Sequence, residues 1–160
     1  MSLRKPLVIV DGQLQQLQAG DSLDAIASEV DSIELTNGNA GSIVIGAPVY
    51  SKAAGSVDKA QANAAGTVEV VGLVRAESIA TSASGAIQTD GVLTATTAQW
   101  DAVAGTTGGL AYGTVYYLDP DTAGMITGTA PTDVGDYVVR IGKAISTTEL
   151  EISISQPIKL

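Results

Sequence analysis

The stretch QLQQLQAGDSLDAI, residues 13–26, contains Gly20-Asp21-Ser22-Leu23, the setting in which one class of serine esterases carries its nucleophile. A serine hydroxyl at neutral pH needs a neighbouring base, usually histidine, to take its proton. The chain has no histidine and no cysteine, and Ala25 stands where a Ser-x-x-Lys pair with Ser22 would need its lysine. Ser22 therefore reads as a loop residue after a turn-forming Gly-Asp pair.

The other candidates for chemistry are carboxylates and tyrosines. Asp119-Pro120-Asp121 places two acids one residue apart, but Ca²⁺ wants six to eight oxygens and a Glu at the twelfth position of an EF-hand loop. That position is Ala130, so the segment reads as a Pro-initiated turn between strands. Asp58, Asp90 and Asp101 stand alone and are expected in turns or on exposed faces. No metal or cofactor site is expected. Tyr112, Tyr116 and Tyr117 form a cluster in which Tyr116 and Tyr117 must point to opposite faces of a strand. Tyr117 matches Tyr50 in a repeat described below, so both are expected inward. Tyr116 and Tyr112, together with Trp100, are then the possible interface residues.

Composition limits the classes of function. The 160 residues are 45% hydrophobic, but almost all of that is Ala, Val, Ile and Leu, with no Phe, one Trp and five Tyr. Small, β-branched and turn-forming residues indicate a compact β protein. Eight basic residues against 17 acidic give a net charge of −9. Nucleic-acid affinity depends on Lys and Arg, so a nucleic-acid partner is not expected. No apolar run approaches the ~20 residues of a membrane-spanning helix, and no signal peptide is expected.

Two regions differ in texture. Residues 1–29 read as an extended N-terminal arm: a strand-like run, Leu7, Val8, Ile9 and Val10, and then a Gln-rich stretch with Leu14 and Leu17 at helical spacing. Gly12 and Gly20 leave too few residues between them for a stable isolated helix. Residues 30–160 read as one all-β domain, a compact barrel or sandwich. Its short runs are bounded by Gly, Ser, Asn or Asp, as in SIELTN-Gly38-Asn39 and TVEVVGLVRAES.

That domain reads as two pseudo-repeats, about 42–94 and 110–156. Each opens with Gly and an apolar strand ending in Tyr50 or Tyr117. Each turns at Gly55 or Gly124 and closes a later strand on Gly72 or Gly142. The expectation is two halves of one barrel, or two sheets of a sandwich, related by a pseudo-twofold. Between them lies TTAQWDAVAG, which predicts a short helix capped by Thr96 or Thr97 and stopped at Gly105. Trp100 and Val103 share a face of it, with Trp100 as core anchor or as interface.

The opening LRKPLVIVDGQLQQLQAGDSLDA resembles the N-terminal arms of structural proteins of tailed-bacteriophage virions. The run from QTDGVLTATTAQWDAV to the C-terminus is similar to a module of phage head-decoration, head-fibre and tail-associated proteins. The resemblance implies a non-enzymatic virion component on the capsid exterior: a decoration or cement protein whose partner is the major capsid protein. An arm with one compact domain leaves no room for a fibre shaft. Leu7, Val8, Ile9, Val10, Leu14 and Leu17 would then be the capsid-binding arm. Self-association is expected, with a trimer favoured. The alternatives are a tail, collar or head-fibre adaptor, or a carbohydrate- or receptor-binding module with a platform of Tyr112, Tyr116 and Trp100.

Overall fold

In the structure, a computed structural model, residues 7–10 and 13–16 are described as backbone and residues 32–160 with their side chains. Ser22 and Leu17 lie outside the described residues. The described chain is mostly β with one short helix, as expected.

The arm strands β1 (Leu7–Val10) and β2 (Gln13–Gln16) pair antiparallel, from Leu7 opposite Gln16 to Val10 opposite Gln13. Leu14 is thus on a strand opposite Ile9, within the arm read as extended. The described part of the arm doubles back on itself. Asp11-Gly12, the residues between the strands, are a pair that two-residue hairpin links favour.

The first repeat contains β3 (Ser32–Asn37), β4 (Ile43–Val44), β5 (Pro48–Ala53), β6 (Ser56–Lys59), β7 (Val70–Val74), β8 (Ser78–Ile79) and β9 (Ser84–Gln88). The second contains β10 (Gly91–Thr94), α1 (Thr97–Ala104), β11 (Val115–Leu118), β12 (Ile126–Thr127), β13 (Tyr137–Val138), β14 (Arg140–Ala144), β15 (Glu149–Ile152) and β16 (Ile158–Lys159). In the first, the strand order β3-β9-β7-β5-β6 closes into a barrel where β6 meets β3 in parallel, at Thr36–Ser56 and Asn37–Val57. The second has the matching order β10-β15-β14-β11-β12 and stays open, with β10 and β12 as edges.

The match extends to single hydrogen bonds. Gly46 N–H donates to the Val74 carbonyl (2.9 Å), and Gly113 N–H to the Ala144 carbonyl (2.8 Å). The β5–β7 register shifts between Val49 and Tyr50, and the β11–β14 register between Tyr116 and Tyr117. A β-carbon on Gly72 would land on the Gln88 carbonyl oxygen, and one on Gly142 on that of Glu151. Both glycines are therefore required by close backbone approach.

The repeats differ where β3 or β10 ends. Repeat 1 crosses to β4 through a short loop that Asn37 holds. This buried amide donates from Nδ2 to the carbonyls of Ile79 (2.8 Å) and Gly41 (3.0 Å), and its Oδ1 accepts from Asn39 N–H (2.7 Å). Repeat 2 launches α1 instead. Thr96 Oγ1 accepts from Gln99 N–H (3.2 Å) and Gln99 Oε1 accepts from Thr96 N–H (2.8 Å), a reciprocal cap. Gly105 (φ +62°) ends the helix in the left-handed conformation.

The apolar side chains of both repeats belong to one core, from Ile43, Val49, Leu73 and Ile87 to Leu93, Trp100, Leu118 and Leu150. The packing is not two-fold. Ala62 N–H donates to the Asp119 carbonyl (3.0 Å), Gly124 N–H to that of Ala60 (2.7 Å) and Tyr137 N–H to that of Ala62 (2.8 Å). Among the described residues, no backbone hydrogen bond joins the matching stretch after β12 to the β5–β6 turn. The contacts between the repeats therefore do not follow the expected pseudo-twofold: the two repeats use different surfaces.

Candidate functional site

Asp58, Asp101 and Asp119 are engaged in holding turns. Asp101 Oδ1 accepts from Gly109 N–H (2.8 Å) and Thr106 Oγ1 (3.0 Å), and its Oδ2 from Gly108 N–H (3.0 Å). The Gly109 amide, followed by those of Gly108 and the Thr106 hydroxyl, holds its carboxyl below the usual carboxylate range against desolvation. Asp119 Oδ1 accepts from the N–H groups of Asp121 (2.8 Å) and Thr122 (2.7 Å), capping its own turn. Asp58 accepts from Lys52 Nζ at 2.8 Å and from Asn39 Nδ2. Desolvation pushes its carboxyl up, but Lys52, Asn39 and the Lys59 amide together bring it below its ordinary value. Ser56 and Lys59 have Ser-x-x-Lys spacing on β6. An odd offset along a strand turns side chains to opposite faces, so the two do not form a nucleophile–base pair. No group of three or more metal-ligating side chains is brought together among the described residues.

The aromatic residues divide differently from expectation. Tyr116 is buried, and its hydroxyl accepts from Ala111 N–H (3.0 Å). It matches Val49, which is also buried, so the inward position in this strand pair is the residue before the final Tyr. Tyr50 is half-buried and packs against the core, as expected, whereas Tyr117 is half-buried and does not belong to the core cluster. Trp100 is fully buried, with Nε1 donating to the Thr148 carbonyl (2.9 Å). Its indole lies where a β-carbon on Gly46 would be 2.9 Å from Cζ3, so Trp100 locks the helix onto repeat 1. Trp100 and Tyr116 are core residues and not interface residues. The platform of Tyr112, Tyr116 and Trp100 does not assemble.

Tyr112 alone of the three is open, at 80% exposure. Around it lies the outer face of the second sheet. Register places Val92, Glu151, Lys143 and Val115 in one row across β10, β15, β14 and β11. Tyr112, Ile145, Lys143 and Glu151 line a shallow hollow of about 280 Å³. Val92 is 44% exposed and Ile145 39%. The sheet ends at β10, where Gly91, Val92 and Thr94 are exposed and no further strand pairs among the described residues.

The matching corner of repeat 1 is covered. Ile45, Gly46, Leu73 and Gln88 are buried there, in the places of Tyr112, Gly113, Lys143 and Glu151. Val92 and Ile145 had no distinguishing sequence signal beyond strand alternation. The contrast of Leu73 with Lys143 was visible once the repeats were aligned. A second groove, about 510 Å³, runs between β4–β8 and α1, lined by Val44, Ser78, Ala98 and Ala102 among others.

Compared with protein-family models and with curated proteins, the chain has no match. No helix among the described residues is long and apolar enough to cross a membrane.

Proposed function

We propose that the chain is a non-enzymatic structural protein of a tailed-bacteriophage particle. In this reading it is a decoration, or cement, protein that binds the outer face of the major-capsid-protein shell and stabilises it. The observation that carries the reading is how the polar groups are used. Asp58, Asp101, Asp119 and Asn37 hold turns and crossings of a doubled β unit. What that unit offers outward is a free strand edge and a partly apolar face.

The sequence resemblance of the arm and of the second repeat to virion proteins supplies the context. The body, residues 32–160, carries that edge and that face. The N-terminal segment is the element that ties it to neighbours on the shell, both capsid subunits and further copies. An extended segment binds by adding backbone hydrogen bonds to an exposed sheet edge. Many weak ties per particle then stabilise the shell through multivalency, without chemistry.

Two measurements test this. Removing residues 2–20 should leave a body that melts cooperatively but no longer binds capsids; normal decoration by the truncated chain would end the proposal. Cryo-electron microscopy of virions should show many copies over the shell. A few copies confined to a vertex, neck or tail would make the adaptor reading correct instead.

A further inference from the structure

We propose that Asn37-Gly38 is a self-modification site that the fold holds shut: when the crossing from β3 to β4 opens, Asn37 converts to aspartate or isoaspartate, and the product keeps the crossing from closing again. The inference goes beyond the virion reading and does not depend on it.

The sequence supplies the reactive pair. A glycine after an asparagine has no β-carbon to shield its backbone nitrogen. Attack by that nitrogen on the side-chain amide gains from proximity, because both groups belong to one short stretch of chain. The Gly38 nitrogen gives its proton to solvent and bonds to Asn37 Cγ. The Cγ–Nδ2 bond breaks, and the side-chain nitrogen leaves as ammonia. Water then opens the cyclic imide at either carbonyl, giving aspartate or isoaspartate. The other asparagines of the chain, Asn39 and Asn63, each precede alanine.

The closed crossing blocks these steps. The Gly38 N–H is engaged with the Val57 carbonyl (2.8 Å). Both hydrogens of Asn37 Nδ2 are committed, to the carbonyls of Ile79 and Gly41, and Oδ1 accepts from Asn39 N–H. Asn37 is 1% exposed, so water is kept from the side-chain carbon. Its backbone is fixed as well. Asn37 N–H donates to the Ala83 carbonyl (2.8 Å) and Ser82 N–H to the Asn37 carbonyl (2.9 Å), where β3 meets β6 and closes the barrel. Bringing Cγ onto the Gly38 nitrogen requires this corner of repeat 1 to open locally.

The product does not fit the site it came from. An aspartate side chain puts an oxygen where Nδ2 now donates, facing two carbonyl oxygens with no hydrogen to offer when ionised. A buried charge set against acceptors is strongly disfavoured. Isoaspartate instead adds a backbone carbon at the residue that pairs with Val57. Either product favours the open crossing. Conversion therefore runs one way and accumulates with the time the corner has spent open.

The test follows conversion by peptide mapping and mass spectrometry, in mildly alkaline buffer with and without unfolding urea. In urea, Asn37 should convert ahead of Asn39 and Asn63. In the folded chain it should slow by about a hundredfold or more, and the exposed Asn63 should then convert ahead of it. Asn37 converting at its urea rate in the folded chain, or still ahead of Asn63, overturns the proposal. The block on closing is read from Asn37→Asp beside Asn63→Asp, which makes the same charge change on an exposed turn. Asn37→Asp should melt about 5 °C or more below the parent chain. Its amides at Gly38 and Ser82 should exchange hydrogen about tenfold faster or more, and Asn63→Asp should change neither property. An Asn37→Asp chain with the parent's melting and exchange overturns the proposal as well.

Discussion

The two repeats have the same strand order, the same register shift and the same close glycine, yet one is shut and the other open. Repeat 1 spends its edge on barrel closure and buries its Gly46 corner under Trp100. Repeat 2 spends its crossing on the helix and leaves its Gly113 corner with nothing within contact distance. Side-chain choice follows that difference. Buried Leu73 and Gln88 in the first become exposed Lys143 and Glu151 in the second. Topology alone thus sets the strand order, while the local insertion of α1 decides which surfaces face water.

The strongest way to break the pairing is to remove its lock. Trp100→Ala takes away a fully buried indole and its bond to Thr148. A loss of about 3–5 kcal/mol is expected, measured by denaturant unfolding. A loss below ~1 kcal/mol would mean that the repeats hold together without the helix. Next come Gly72→Ala and Gly142→Ala, each placing a methyl on a backbone carbonyl of the next strand. Each should cost about 2–3 kcal/mol. Equal costs are expected, because the two environments match; a tolerated change in one repeat would show that its sheet yields and the other does not.

Much of this architecture could be read from residue order. The repeat was visible in Gly46 and Gly113, Tyr50 and Tyr117, and Gly72 and Gly142, because tight turns and close strands demand glycine at fixed places. The helix was visible because Thr96, Gln99 and Gly105 cap it through local bonds. Tyr116 was misassigned because alternation says only that neighbours face opposite ways, and which of them is buried depends on packing against strands far along the chain. The arm was read as extended, and Asp11-Gly12 was the signal that its two strands pair with each other. The open β10 edge was not legible at all, since it depends on what fails to pair with it.

A finer comparison uses the corner glycines. Both have positive φ, +81° at Gly46 and +78° at Gly113, so alanine strains both backbones by about 1–2 kcal/mol. Only at Gly46 does the new methyl also meet Trp100 and Val103. Gly46→Ala should therefore cost about 1–2 kcal/mol more than Gly113→Ala, and that excess isolates the contact between repeats. In a Trp100→Ala background the excess should shrink to what Val103 contributes, as a double-mutant cycle would show.

The smallest effect distinguishes the two crossings by pH. Repeat 1 fixes its loop with the neutral amide of Asn37, and repeat 2 fixes the segment after α1 with the carboxylate of Asp101. The amides of Gly109 and Gly108 and the Thr106 hydroxyl lower the Asp101 pKa in the folded state. A lowered folded value means the stabilisation is present above the unfolded pKa of about 3.9 and is lost as pH falls through the folded one. Asp101→Asn should thus lower the melting temperature modestly at neutral pH. The gap to the parent chain should close as the pH drops below about 4, where the parent carboxyl takes up its proton. A gap that stays constant through that range would mean that Asp101 acts by shape and hydrogen-bond count alone, and that its charge does nothing for the repeat 2 crossing that the Asn37 amide does not do for repeat 1.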